Sequence, residues 1–161
     1  MSLSTYKKKR DFKKTKEPAP SRKKKSSKDI FVVQRHNASH LHYDFRIQMK
    51  GVLKSWALPK GLPKTSKEKR LAVHTEDHPL AYADFEGTIP EGEYGAGKVK
   101  IWDKGTFIHP KKGALSTWYK KGHIELYLEG KRYKGPYALI HFKGKNWLMI
   151  KMKKNPLKEG D

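Results

Sequence analysis

Gln34-Arg35-His36-Asn37-Ala38-Ser39-His40-Leu41-His42-Tyr43-Asp44-Phe45-Arg46 is the stretch on which the reading of this chain turns. From Leu41 onward the residues alternate: Leu41, Tyr43, Phe45 and Ile47 interleave with His42, Asp44, Arg46 and Gln48. A period of two belongs to a strand with one face buried, because successive side chains leave the pleat on opposite sides. One face is apolar or aromatic. The other carries an imidazole, a carboxylate, a guanidinium and an amide in line, spaced roughly 6.5–7 Å apart. That spacing suits two side chains converging on one metal ion, with the arginine a step beyond. His36, six residues before His42, is near enough to fold back as a third ligand. Two imidazoles and a carboxylate leave positions open for water and substrate, as a catalytic metal centre requires. Histidines that merely face a groove have the same spacing, and the arginine and the overall charge are what weigh toward a metal. His40 has the parity of His42, so geometry does not exclude it as a ligand.

Outward from this strand, 30–33 reads as a first strand, and Lys50-Gly51 turns the chain into a third at 52–58. Pro59, Gly61 and Pro63 then break regular structure in a loop that carries Lys60 and Lys64. Another strand is predicted at 70–76, ahead of Asp77-His78-Pro79-Leu80, and 81–97 reads as irregular and glycine-rich. Those glycines are turn-formers and not a P-loop, since no Gly-Lys-Ser/Thr follows. Further strands are expected at 99–102, 105–108, 123–128, 133–142 and 147–152, with hairpin turns at Glu129-Gly130-Lys131 and Lys143-Gly144-Lys145-Asn146. Eight or nine short strands with little helix predict an all-β fold, either an antiparallel barrel of about eight strands or a strongly curved sheet.

Lys and Arg number 37 against 16 acids, a formal charge of +21 over 161 residues. Such a balance implies a polyanionic partner, nucleic acid or an acidic membrane. No apolar run approaches the roughly 18 residues of a membrane-spanning helix, and no basic amphipathic helix is evident, which favours nucleic acid. The absence of cysteine excludes disulfides and thiolate zinc sites. The basic N-terminus lacks the apolar region of a secretory signal, so an intracellular protein is expected. Residues 1–28 hold twelve basic residues against Asp11 and Glu17 and almost no aliphatic ones. That composition predicts a mostly mobile basic arm that strengthens DNA or RNA binding, ahead of a domain at 29–161. Within the arm, Arg10-Asp11-Phe12 with Thr15 and Glu17 forms a possible docking motif at 10–18.

Arg46, Lys60 and Arg70 are cations on or beside strands, and His78 ends a strand with Tyr82 four residues on. Fixed arginines neutralise the non-bridging oxygens of a phosphoryl group, and a histidine can hydrogen-bond or protonate the leaving oxygen. With a metal to polarise the phosphate, these are the parts of a phosphoesterase. Q-x-H-x-A-S-H-L-H-Y-D-F-R at 34–46 and G-V-L-K-S-W-A-x-P-K-G at 51–61 resemble the phosphoesterase domain of bacterial DNA ligase D. R-L-A-V-x-x-E-D-H-P-L-x-Y-A-D-F-E-G at 70–87 and I-P-E-G-x-Y-G-A-G at 89–97 resemble it too, and the likeness runs from R-D-F-x-x-T-x-E-P at 10–18 to N-W-L-x-I-K at 146–151.

That resemblance implies a β-barrel with manganese-dependent activity at the 3′ end of a DNA primer in non-homologous end joining. A terminal ribonucleoside is removed first, then the remaining 3′-phosphate, to leave 3′-OH. It implies His36, His42 and Asp44 as metal ligands, and Arg46, His78 and Tyr82 as phosphate-binding and catalytic groups supported by Lys60, Arg70 and Gln34. Arg10, Asp11 and Glu17 would contribute from the N-terminal segment. Nitrogen and oxygen donors accept Zn2+ or Co2+ as well as Mn2+. The length leaves no room for the polymerase and ligase domains that accompany this module, so a stand-alone form working with separate polymerase and ligase proteins is expected.

Two other readings stay open. His42 and Asp44 with a distant His78 imitate the two-histidine, one-carboxylate triad of non-haem iron oxygenases. A basic barrel that only binds nucleic acid, with Trp56, Trp102, Trp118 or Trp147 as stacking residues, needs no metal.

Overall fold

The computed structural model describes residues 3–19 and 29–154. A short helix α1 (Leu3–Lys8) is followed by strands β1 (Ile30–Asn37), β2 (Leu41–Met49), β3 (Val52–Leu58) and β4 (Lys69–Pro79). After a 3-10 helix at Leu80–Asp84 come β5 (Gly87–Ile89), β6 (Gly97–Ile108), the helix α2 (Leu115–Lys121), β7 (His123–Glu129), β8 (Lys134–Lys143) and β9 (Asn146–Lys151). All pairings are antiparallel in the order β1-β2-β3-β4-β9-β8-β7-β6, and β6 pairs back onto β1. The eight strands therefore close into the predicted barrel, and β5 is a ninth strand laid on β6. The β2–β3 hairpin turns through Lys50 and Gly51, at φ 50° and 81°. Two successive positive φ values match the right-handed twist of the strands, and Gly51 adopts its value without the penalty a Cβ brings.

Alternation sorts the strands onto two layers. Phe31, Val33, Phe45, Ile47, Trp56, Leu58, Leu126, Leu139 and Met149 fill the inside, as side chains do in a barrel of this size. A second apolar layer lies on the outer wall, where Val32, Leu53 and Val99 meet Tyr82, Phe85 and Ile89. Tyr6 is completely buried in that outer layer. Residues 3–19, the larger part of the segment expected to be a mobile arm, thus lie folded on the barrel wall. Residues 20–28 of that expected arm and 155–161 of the domain lie outside the described residues.

Several elements differ from expectation. β1 runs on to Asn37, so His36 sits on a strand and does not fold back from a loop. β6 is continuous where two strands are predicted. Asp103, in the gap between the two predicted strands, is buried, and its carboxylate accepts the backbone N–H groups of Lys131, Arg132 and Tyr133. It thereby clamps the β7–β8 turn to β6. The stretch 81–97 contains the 3-10 helix and β5, and α1 and α2 have no counterpart in the strand pattern.

β4 holds the irregularity that matters most for the site. Ser55 pairs with Thr75 but Leu53 pairs with His78, so Glu76 and Asp77 together face Lys54. One extra residue on a strand interrupts its alternation. Ala72 lies in the inner core, and His74 stacks on Trp56 with ring centroids 4.8 Å apart. Glu76 and His78 turn to the outer wall, while Asp77 pairs with Lys54 at 3.0 Å.

Candidate active site

The β1–β2 ladder sets His36 opposite His42 and Gln34 opposite Asp44. All four side chains face outward, since their neighbours Val33 and Phe45 point into the core. Asp44 Oδ2 lies 3.2 Å from His42 Nε2 and 3.6 Å from His36 Nδ1, and the three donor atoms fall within 4.8 Å of one another. The other nitrogen of each ring donates to a backbone carbonyl: His36 Nε2 to Gly95 at 2.6 Å and His42 Nδ1 to His40 at 3.1 Å. Those bonds hold the proton on the far side of each ring and leave the lone pair facing Asp44, the arrangement found around metal-bound histidines. The donor set therefore fits a divalent metal, with positions left open. Gly95 is at φ 76°, a left-handed conformation that favours glycine, and the turn it makes before β6 delivers its carbonyl to His36. His40 supplies its carbonyl to the cluster. Among the described residues no other group of three such ligands occurs.

The electrostatics agree with this fit. Burial opposes ionisation of Asp44, but the Arg46 charge, with the two imidazoles beside it, holds its carboxyl well below the usual range. Burial also disfavours a charged His42, yet Asp44 outweighs it and raises the ring's pKa above the ordinary value. A divalent metal held here would compete with a proton for the same inward lone pair.

Arg46, two residues along β2, continues the face. Its Nη2 is 3.4 Å from Asp44 and its Nε donates to Gln34 Oε1 at 2.6 Å. Gln34 in turn donates to the carbonyls of Tyr82 at 2.8 Å and Phe85 at 3.1 Å, so it orients the guanidinium and ties the 3-10 helix to β1. His78 is caged between two guanidiniums, 3.4 Å from Arg46 on one nitrogen and 3.4 Å from Arg10 on the other. Its Nδ1 donates to the Glu76 carbonyl at 3.0 Å, which leaves Nε2 as the acceptor toward Arg10. Burial first, then the charges of Arg46 and Arg10, push its pKa well below the ordinary value, so the resting ring is neutral.

The N-terminal segment completes this wall. Arg10 Nε donates to Glu17 at 2.9 Å and its Nη1 to Glu76 at 3.2 Å, with the guanidinium 4.0 Å over the Tyr6 ring. Glu17 also accepts from Thr15 at 3.0 Å and from the Tyr82 hydroxyl at 2.7 Å. Burial, with Glu17 beside it, raises the Tyr82 phenol well above its ordinary pKa, and the Arg46 charge only partly opposes this. Tyr6 donates to the Pro18 carbonyl, closing the segment on itself.

A cavity of about 300 Å³ gathers these groups, with Arg10, His36, His42, Asp44, Arg46 and His78 on its wall. Tyr82 lines it too, and Glu17 and Gln34 stand behind as supports. Three expected contributors are placed elsewhere. Asp11 is exposed and accepts the Lys13 N–H within its own turn. Lys60 is exposed just past β3, outside the cavity lining. Arg70 pairs with Glu68 beside β9, roughly 25 Å of extended chain from His78. The triad of His42, Asp44 and His78 does not assemble, because His36 fills the third place and His78 is held by the arginines. Glu76 and Tyr6 belong to the site and were not expected there. A carboxylate next but one to His78 was a usable signal for Glu76, whereas nothing local marks Tyr6.

An antiparallel barrel whose outer wall carries a histidine–carboxylate cluster beside fixed arginines offers donors suited to a divalent metal and cations suited to phosphate oxygens. The chain belongs to the DNA ligase D 3′-phosphoesterase domain family, whose model matches residues 34–141. It is 49% identical over 156 residues to the multifunctional non-homologous end joining protein LigD of Mycolicibacterium smegmatis, and 46% identical over 160 residues to that of Pseudomonas aeruginosa. Each match covers 94% of this chain but only 20% and 18% of those relatives, so the chain spans about a fifth of their length.

Proposed function

We propose that this chain is a metal-dependent phosphoesterase that heals DNA 3′ ends for non-homologous end joining, with Mn2+ as the working metal. The observation that carries this reading is the single cavity in which three metal donors, two guanidiniums and a buried neutral histidine face the same space. His36, His42 and Asp44 would hold the ion, which when bound neutralises phosphate charge and lowers the pKa of a water. Arg46 and Arg10 bind the non-bridging oxygens, each already aimed by Gln34 or by Glu17 and Glu76. A phosphate lodged between the two guanidiniums offsets their charge and raises the proton affinity of His78, beside which the leaving oxygen needs a proton.

On a primer ending in a ribonucleotide, water adds to phosphorus and the bond to the terminal 5′-oxygen breaks, releasing the nucleoside and leaving a 3′-phosphate. In a second hydrolysis the bond from phosphorus to the primer's 3′-oxygen breaks, releasing phosphate and a 3′-OH end. The +21 charge supplies the salt-dependent attraction to the DNA backbone, and exposed Lys60 serves the strand outside the cavity. Incubating the protein with Mn2+ and a primer–template ending in one ribonucleotide tests the reading. Nucleoside loss followed by a 3′-OH end, abolished in His42→Ala, is the expected result. Tight DNA binding with no processing under Mn2+, Zn2+ or Co2+ would replace it by a non-catalytic nucleic-acid-binding barrel.

A further inference from the structure

We infer that Tyr94 forms a stacking subsite for the terminal nucleoside that leaves in the first reaction, an assignment that rests on the phosphoesterase reading above. Five large hydrophobic side chains are exposed among the described residues, namely Leu41, Leu71, Tyr94, Ile108 and Phe142, and of these only Tyr94 lines the cavity. Nearly half of its surface (48%) is open to solvent. It immediately precedes Gly95, whose carbonyl holds His36, so its backbone is anchored one residue from the metal cluster. The N-terminal segment reaches it through Lys9 and Arg10. Lys9 Nζ lies 3.2 Å from the Tyr94 hydroxyl and 4.3 Å from the ring centroid, and the Arg10 guanidinium is 5.4 Å from that centroid. Lys9 also binds Glu76 at 3.3 Å. An exposed aromatic ring is thus fixed at the cavity rim among cations, above a floor in which Arg46 and His78 are 3% and 4% exposed.

The hydroxyl of this ring is already engaged by Lys9, and the part of the ring left open to solvent matches the flat face of a base. A phosphodiester seated on the arginines has two substituents. The primer, part of a duplex, is too broad for a cavity of about 300 Å³ and stays outside it. The single terminal nucleoside is the substituent that fits inside the rim, and Tyr94 is the surface on which its base lies. Stacking on an aromatic ring accepts any base, so the subsite holds the leaving nucleoside without selecting its identity.

A primer ending in 3′-phosphate has no such nucleoside, which separates the two reactions. Initial rates of nucleoside release from a ribonucleotide-ended primer and of phosphate release from a 3′-phosphate-ended primer are measured with Mn2+ for the full chain, Tyr94→Ala and Tyr94→Phe. In Tyr94→Ala the ratio of nucleoside release to phosphate release falls about tenfold, inside the roughly 5- to 150-fold range for losing one base stack. Tyr94→Phe keeps the wild-type ratio, because the ring remains although the hydroxyl contact to Lys9 is gone. Parallel loss of both rates in Tyr94→Ala, no loss of either, or equal loss of the ratio in Tyr94→Phe would overturn the subsite while leaving the phosphoesterase reading intact. A wild type inert on both primers refutes the phosphoesterase reading and the subsite with it.

Discussion

Replacing Glu17 by Gln should unfasten the N-terminal segment while leaving the barrel intact. Glu17 and Arg10 are almost wholly buried, with side chains 0% and 5% exposed, and pair at 2.9 Å. The same carboxylate accepts from Thr15 and from the Tyr82 hydroxyl. A hydrogen bond to a charged group contributes about 1.5–3 kcal/mol, and breaking a buried pair costs about 3–5 kcal/mol because a charge is left behind. Gln keeps the shape and one acceptor, and Arg10 keeps Glu76, so the lower end applies, about 3 kcal/mol. That is roughly a hundredfold in the opening equilibrium of the segment. Hydrogen exchange reads it directly. The amides of Lys9 and Thr15, bonded to the carbonyls of Thr5 and Asp11, should lose about a hundredfold in protection. Ladder amides in the barrel between β2 and β3 should be unchanged, and turnover should fall because Arg10 and Tyr82 lose their support. Unchanged protection at Lys9 and Thr15, or equal loss in the barrel ladder, would refute the view that this ion pair fastens a separately opening segment over the site.

Three further outcomes are expected. His42→Ala should weaken Mn2+ binding by at least about a hundredfold in an electron paramagnetic resonance titration, whereas Lys60→Ala, outside the cavity, should bind the ion as the wild type does. Stability to urea should fall as pH drops below about 6.5, because burial depresses the pKa of His74 and of His78 in the folded chain. The unfolded chain then takes up protons that the folded chain refuses, and the loss deepens toward the depressed folded values. His74→Gln should flatten part of this slope, and an unaltered slope would count against the burial of His74. Asp103→Ala should cost about 2–4 kcal/mol by orphaning the N–H groups of Lys131, Arg132 and Tyr133. A urea midpoint within error of wild type would show that the β7–β8 turn does not depend on that clamp.

Legibility followed distance along the chain. The period-two pattern at 41–49 was enough to place Phe45 and Ile47 inside and His42, Asp44 and Arg46 on one outer face, because the pleat alone dictates which side each residue takes. The Lys50-Gly51 and Gly144-Lys145 turns were readable for the same reason, as were the all-β class and the charge that calls for a polyanion. The continuity of β6 across 103–104 was not readable, because the burial of Asp103 depends on backbone donors nearly thirty residues later.

What tertiary structure alone decided is how separate segments meet. The register that sets His36 opposite His42 depends on how β1 pairs with β2 on one edge and β6 on the other. In β4, strict alternation would put His74, Glu76 and His78 on one face. The extra residue opposite Lys54 sends His74 onto Trp56 and leaves Glu76 and His78 for the cavity. Tyr6, Arg10 and Glu17 reach the site only because the outer wall offers Val32, Leu53 and Tyr82 to cover. The sequence by itself determined which residues are chemically able to hold a metal and a phosphate, since side-chain type and strand parity are local properties. Their assembly into one cavity was decided by barrel closure, ladder register and the docking of the N-terminal segment, which are set by burial between residues remote in the chain.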